Sequence, residues 1–159
     1  PQADMARWLD CIALDGGLRE GGNTLQVVFI HAKDKQKMEN FSPSNYAEEL
    51  DGKAFKDHLG EFVLNALPVE ELVNGVDFFL DVVQTVCAQP AVKRVMIIPN
   101  AENAELYDTL RRQLHYVDDD GKRITVFTMQ PMSGGNFRQE ILGYSLMNAL
   151  GIKADEIPR

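Results

Sequence analysis

Three short runs of apolar, mostly β-branched residues recur along this chain, and stretches with helical spacing separate them. That alternation limits the fold more than any other feature. Residues 25–30 (LQVVFI), 92–98 (VKRVMII) and 124–129 (ITVFTM) have the length and composition of strands. Around and between them, Met5, Trp8, Leu9 and Ile12 fall on one helical stripe that ends near Gly16-Gly17. Val76, Phe79, Leu80, Val83, Val86 and Cys87 form a second stripe, closed by Pro90. Tyr107, Leu110 and Leu114 form a third. Strands that alternate with helices predict an α/β fold. We expect three layers, with a mainly parallel sheet of three or more strands flanked by helices and joined by right-handed crossovers. Four consecutive apolar residues, Val27 to Ile30, predict a first strand covered on both faces.

The least legible stretch runs from His31 to Pro68. Ser42-Pro43-Ser44-Asn45 is loop chemistry and Asp51-Gly52 is a turn signal, so an edge hairpin is expected within residues 50–67. Past the third strand, a final helix is expected from Phe137 to Leu150 with Gly151 as its C-terminal cap. Ile141, Leu142, Tyr144, Leu146, Met147 and Leu150 are spread around that helix rather than along one stripe. This predicts burial on more than one side, against the rest of the domain, a protein partner or a second copy.

With 159 residues, 45% of them hydrophobic, the chain reads as one domain over residues 1–159 with no linker and no repeat. It opens on Pro1 without a methionine, which leaves room for a native segment upstream. No apolar run approaches the roughly 20 residues that span a bilayer, and no secretory pattern opens the chain. Two cysteines, Cys11 and Cys87, sit inside apolar helical patterns and read as core residues of a cytoplasmic protein. The 16 basic residues are outnumbered by 24 acidic ones, for a net charge of −8, which argues against a nucleic-acid partner. The basic pairs Lys93-Arg94, Arg111-Arg112 and Lys122-Arg123 are spread along the chain and read as solvated surface.

In an open parallel sheet, ligands bind beyond the carboxyl ends of the strands. That rule nominates His31, Lys33 and Asp34 after the first strand, and Asn100, Glu102 and Asn103 after the second. After the third it nominates Gln130 and the segment from Ser133 to Arg138. Ser133, Gly134, Gly135, Asn136 and Arg138 are the anion-binding candidates. Two glycines allow close backbone approach, a helix N-terminus offers free N–H groups, and an arginine can grip phosphate bidentately. A plain turn capped by Ser133 or Asn136 explains the same residues. His31 is a candidate general base oriented by Asp34, and Asp34 with Glu102 is a candidate carboxylate pair for Mg²⁺. A satisfied boundary histidine and ordinary helix-terminus chemistry are the plainer alternatives.

His31, His58 and His115 are isolated in the sequence, and no metal-ligand spacing is present, so no metal site is expected; the cofactor is left open. The expected role is a non-catalytic binding or protein-interaction domain. The alternative is a Rossmann-like enzyme handling phosphate or nucleotides, with or without a metal ion, with the anion held at residues 133–138.

Overall fold

In a computed structural model, the chain is a mixture of helices and strands that falls into two compact units, Pro1–Gly75 with Ser145–Arg159, and Val76–Tyr144. The structure describes residues 3–36, 41–42, 45–69, 75–99, 104–115, 117, 122–129 and 137–142.

In the first unit, β1 (Ala3–Asp4) leads directly into α1 (Met5–Asp15). The Asp4 side chain caps this helix, accepting from the Ala6 N–H at 2.9 Å. At the other end Gly17 takes φ 94°, a conformation open to glycine at little cost, and the chain turns away. The apolar stripe anticipated from the sequence is the buried face: Met5, Trp8, Leu9, Ile12 and Ala13 are all interior. Trp8 packs on Phe41 of β3 (Phe41–Ser42), ring centroids 4.6 Å apart, and β3 pairs parallel with β1.

The main sheet of this unit has β5 (Gly60–Val69) between β2 (Asn23–Ala32) and β4 (Ala54–Lys56). β4 and β5 form the antiparallel edge hairpin expected from residues 50–67. β2 and β5 run parallel over ten pairs, from Asn23 opposite Gly60 to Ala32 opposite Val69. The start of that register is fixed locally. Asn23 Nδ2 donates to the Leu59 carbonyl at 2.8 Å, and Gly60, at φ 144°, lies so close that a Cβ there would sit 2.0 Å from the Asn23 oxygen. Between β2 and β5 the chain makes a π-helical turn over Tyr46–Leu50, whose Tyr46 and Leu50 are buried.

Two expectations fail in this unit. The first strand was to be covered on both faces, yet β2 alternates between half-buried and exposed residues over most of its length, and Val28 is 39% exposed. A continuous apolar run is read as two-sided burial only if both faces meet helices, and an edge position in a three-stranded sheet does not require it. The first strand was also to share a sheet with the second and third. It pairs instead with β5, because Phe62, Leu64 and Ala66 give β5 an alternating buried face that lines up with Leu25, Val27 and Phe29.

In the second unit α2 (Gly75–Cys87) precedes β6 (Arg94–Ile97), then α3 (Ala104–His115), β7 (Arg123–Thr128) and β8 (Arg138–Ile141). The three strands make an all-parallel sheet in the order β6-β7-β8. Its core joins Leu80, Val83 and Cys87 of α2 to Val95 and Ile97 of β6, Leu106, Tyr107, Leu110 and Leu114 of α3, and Ile124 and Val126 of β7. Helical stripes at three- and four-residue spacing thus meet strand residues on the sheet, as the sequence pattern predicts. Gln113 Nε2 on α3 donates to the Leu80 carbonyl on α2 at 3.0 Å. Lys122, only 8% exposed, donates from Nζ to the carbonyls of Gln89 at 2.9 Å and Val92 at 2.6 Å, which ties the turn after α2 to the entry of β7.

The final helix does not begin at Phe137. Arg138–Ile141 is a strand, pairing Arg138 with Thr125 and Ile141 with Thr128. Every residue of β7 after Arg123 is buried, so its open backbone edge needs a partner, and the RQEI segment supplies one against its own weak strand propensity. Residues 143–150, the rest of the expected helix, lie outside the described residues. No helix among the described residues is long and apolar enough to cross a membrane.

Candidate functional site

Asp10 stands on α1, beside the buried stripe rather than in it, and is partly buried. Asp57 and His58 come from the turn that joins β4 to β5. This turn is built by its own sequence: the Leu59 N–H donates to Asp57 Oδ1 at 2.9 Å, the Gly60 N–H to the Asp57 carbonyl at 3.2 Å, and the Asp57 N–H to the Gly60 carbonyl at 3.0 Å. An aspartate that binds the N–H two residues on, with glycine closing the turn, is an Asx turn. Its effect is to hold Asp57 and His58 toward α1. One ligand atom from each of Asp10, Asp57 and His58 lies within 4.8 Å of the other two.

The electrostatics of the group follow from that crowding. Burial pushes the Asp10 carboxyl up to about 7, helped by its hydrogen bond with Asp57 and by the negative charges of Asp57 and Asp4, with His58 opposing. Burial would raise Asp57 too, but the hydrogen bond from Asp10, the N–H groups of Leu59 and Gly60 and the charge of His58 outweigh it and hold Asp57 below the usual carboxylate range. Two carboxyls this close do not both ionise at little cost, so the pair retains a proton between them. Asp10 Oδ1 is shut off from solvent and has no hydrogen-bond partner among the described residues. Two carboxylate oxygens and an imidazole nitrogen this close together can hold either that proton or a metal cation.

The candidates nominated from strand ends fare differently. His31 lies inside β2, its ring stacked on Tyr46 at 4.0 Å and 7°. Its Nδ1 is 2.9 Å from the Ala32 carbonyl and 3.0 Å from the Lys35 carbonyl, so Nδ1 carries the hydrogen. Backbone carbonyls therefore orient this imidazole, where Asp34 was expected to; Asp34 and Lys33 lie exposed in the turn after β2. Asn100, Glu102, Asn103, Gln130 and the anion candidates Ser133, Gly134, Gly135 and Asn136 lie outside the described residues. Arg138 is on β8, exposed, with Nη2 2.5 Å from Glu140 Oε1. The helix whose N-terminus was to complete the anion site is absent at Arg138, since the chain there is strand. Two of the three basic pairs come together, Arg94 standing opposite Arg123 at the amino edge of the parallel sheet.

Sequence reasoning passed over Asp10, Asp57 and His58. The Asx turn was visible as an aspartate three residues before a glycine between two strand-like segments. Nothing in the sequence tied it to a helix residue so far upstream. Burial agrees with the cysteine reading at Cys87, while Cys11 is half-buried; both are free thiols.

The chain belongs to DUF6621, a family of unknown function, whose profile matches residues 1–157. No curated protein and no solved structure matches it.

Proposed function

We propose that this DUF6621 member is a binding domain whose ligand is a divalent cation, held by Asp10, Asp57 and His58. The observation that carries the reading is the proximity of these three side chains, from a helix and a turn far apart in the chain, with one ligand atom of each within 4.8 Å of the other two. Free thiols at Cys11 and Cys87 fit a reducing compartment such as the cytoplasm. Trp8, the chain's one tryptophan, is on the same helix as Asp10 and reports on it. Titrating chelator-treated protein with Mn²⁺, Zn²⁺, Ca²⁺ and Mg²⁺ should give a saturable change in Trp8 fluorescence with at least one ion, and Asp57→Asn should weaken it. A flat response to all four refutes the reading.

The second unit favours another reading. Its all-parallel sheet, with α3 crossing from β6 to β7, leaves Ile98 37% and Met129 54% exposed just past the carboxyl ends of β6 and β7. That edge is where Rossmann-like three-layer proteins take phosphates and nucleotides. On this reading the Ser133 to Arg138 segment holds the anion, with Glu102 as an acid/base or metal-binding group. Arg138→Ala should then abolish nucleotide binding without unfolding the chain; unchanged binding removes this second reading.

A further inference from the structure

We infer that the ion held by Asp10, Asp57 and His58 is a transition-metal ion of the zinc class, and that it clamps α1 to the β4–β5 turn. This rests on the cation-binding reading and narrows it to one class of ion and one role.

Three observations carry it. The first is donor chemistry. Ca²⁺ takes six to eight oxygen ligands and Mg²⁺ keeps an octahedron of oxygens, whereas imidazole suits zinc and its first-row neighbours. One nitrogen with two carboxylate oxygens is a three-ligand zinc-type set that leaves a position for water. The second is where the donors come from. Asp10 belongs to α1, while Asp57 and His58 belong to a turn fixed by its own hydrogen bonds, so the turn backbone and the Asp57 carboxylate are set in place before any ion arrives. An ion that bridges the two elements is a cross-link the unfolded chain cannot make, and its binding energy becomes folding energy. The third is Asp10 Oδ1, shielded from solvent and without a hydrogen-bond partner among the described residues. A buried acceptor in that state calls for an explanation, and a cation bound by the Asp10 carboxylate supplies one.

The test is thermal unfolding of the full chain after chelation, with Zn²⁺, Co²⁺, Ca²⁺ or Mg²⁺ added singly, for the parent and for His58→Ala and Cys11→Ser. His58 is exposed, so its replacement leaves the metal-free chain folded. Zn²⁺ at a hundredfold excess over its Kd should raise Tm by roughly 5–10 °C. Co²⁺ should do likewise and add visible absorption bands, while Ca²⁺ and Mg²⁺ at the same concentration should produce no shift. His58→Ala should weaken zinc binding by more than about tenfold, and Cys11→Ser should leave it unchanged. Equal shifts with Ca²⁺ or Mg²⁺, or zinc affinity untouched in His58→Ala, would overturn the inference and leave the broader cation reading standing. Loss of the response in Cys11→Ser would move the ion to the thiol and overturn it as well. No shift with any ion overturns both.

Discussion

Replacing Asp10 with asparagine removes the ionisable member of the carboxyl pair while keeping a donor for Asp57, and its consequence can be worked through pH. Asp10 is held at about 7 in the folded chain against 3.8 unfolded, so between those values the native state binds more protons than the unfolded one. Stability therefore falls as pH rises from about 4 to about 7 and is flat above. Asp57 has the opposite sign, but its folded value lies below 3.8, so its contribution is lost only in stronger acid, outside this window. A shift of about 3 pH units at ~1.36 kcal/mol each sets a ceiling near 4 kcal/mol. Because Asp10 is partly exposed, solvent screening reduces this to about 1–2 kcal/mol. Asp10→Asn should thus be more stable than the parent by about 1–2 kcal/mol at pH 8, and within about 0.5 kcal/mol of it at pH 5. Urea unfolding followed by Trp8 fluorescence, in chelating buffer across pH 5–8, reads the effect on the unit that contains both residues. Parallel stability profiles for the two proteins, or a variant weakened at pH 8, would show that the pair does not share a proton as described.

Other substitutions probe the frame around the site. Gly60→Ala places a Cβ 2.0 Å from the Asn23 oxygen at a φ of 144°, and should cost about 3 kcal/mol or more in urea unfolding; a loss below about 1 kcal/mol would contradict the close approach. Lys122→Met strands the Gln89 and Val92 carbonyls and should destabilise the second unit by about 1–3 kcal/mol, seen as a lower melting temperature by circular dichroism; no change would mean those contacts are dispensable. Asp4→Ala removes the α1 cap and should cost about 1 kcal/mol while Asp4→Asn costs less, and equal losses would point to charge rather than capping. Leu114→Ala, at a fully buried α3 position, should cost about 2–5 kcal/mol, whereas Val28→Thr, at an exposed position of β2, should stay within about 0.5 kcal/mol.

What the sequence disclosed was whatever a single element carries by itself. The stripe from Val76 to Cys87 is legible because the same residues that set its period are the ones facing β6 and β7. The runs at 25–30, 92–98 and 124–129 are legible as strands for the same reason. Sheet membership was not, because no residue of β2 names β5 as its neighbour; the match lies in the alternation of Phe62, Leu64 and Ala66, which has meaning only once the two are aligned. β8 was hidden more completely. Arg138, Gln139, Glu140 and Ile141 have no strand signature, and local spacing with Leu142 and beyond favours helix. Only the unpaired edge of buried β7 explains their conformation. The candidate site was illegible for a related reason: a polar helix residue and a turn acquire chemistry by meeting, and each alone is ordinary surface.

The parallel pairing of β2 with β5 also bears on how the chain reaches this structure. Each of its ten pairs joins residues separated by the same 37 positions, as 60 − 23 gives for the first and 69 − 32 for the last. No pair is therefore an easier starting point than another on grounds of chain entropy. Closing that loop once costs roughly 3 kcal/mol of entropy beyond a constant, and each later pair extends a ribbon already closed. Such a ribbon forms as one event or not at all, with the Asn23 contact to Leu59 and Gly60 as the natural point of first capture. The βαβ segment of the second unit meets the same constraint, since its β6 and β7 pairs join residues 29 positions apart, as 123 − 94 gives, and closing that loop costs only a few tenths of a kcal/mol less.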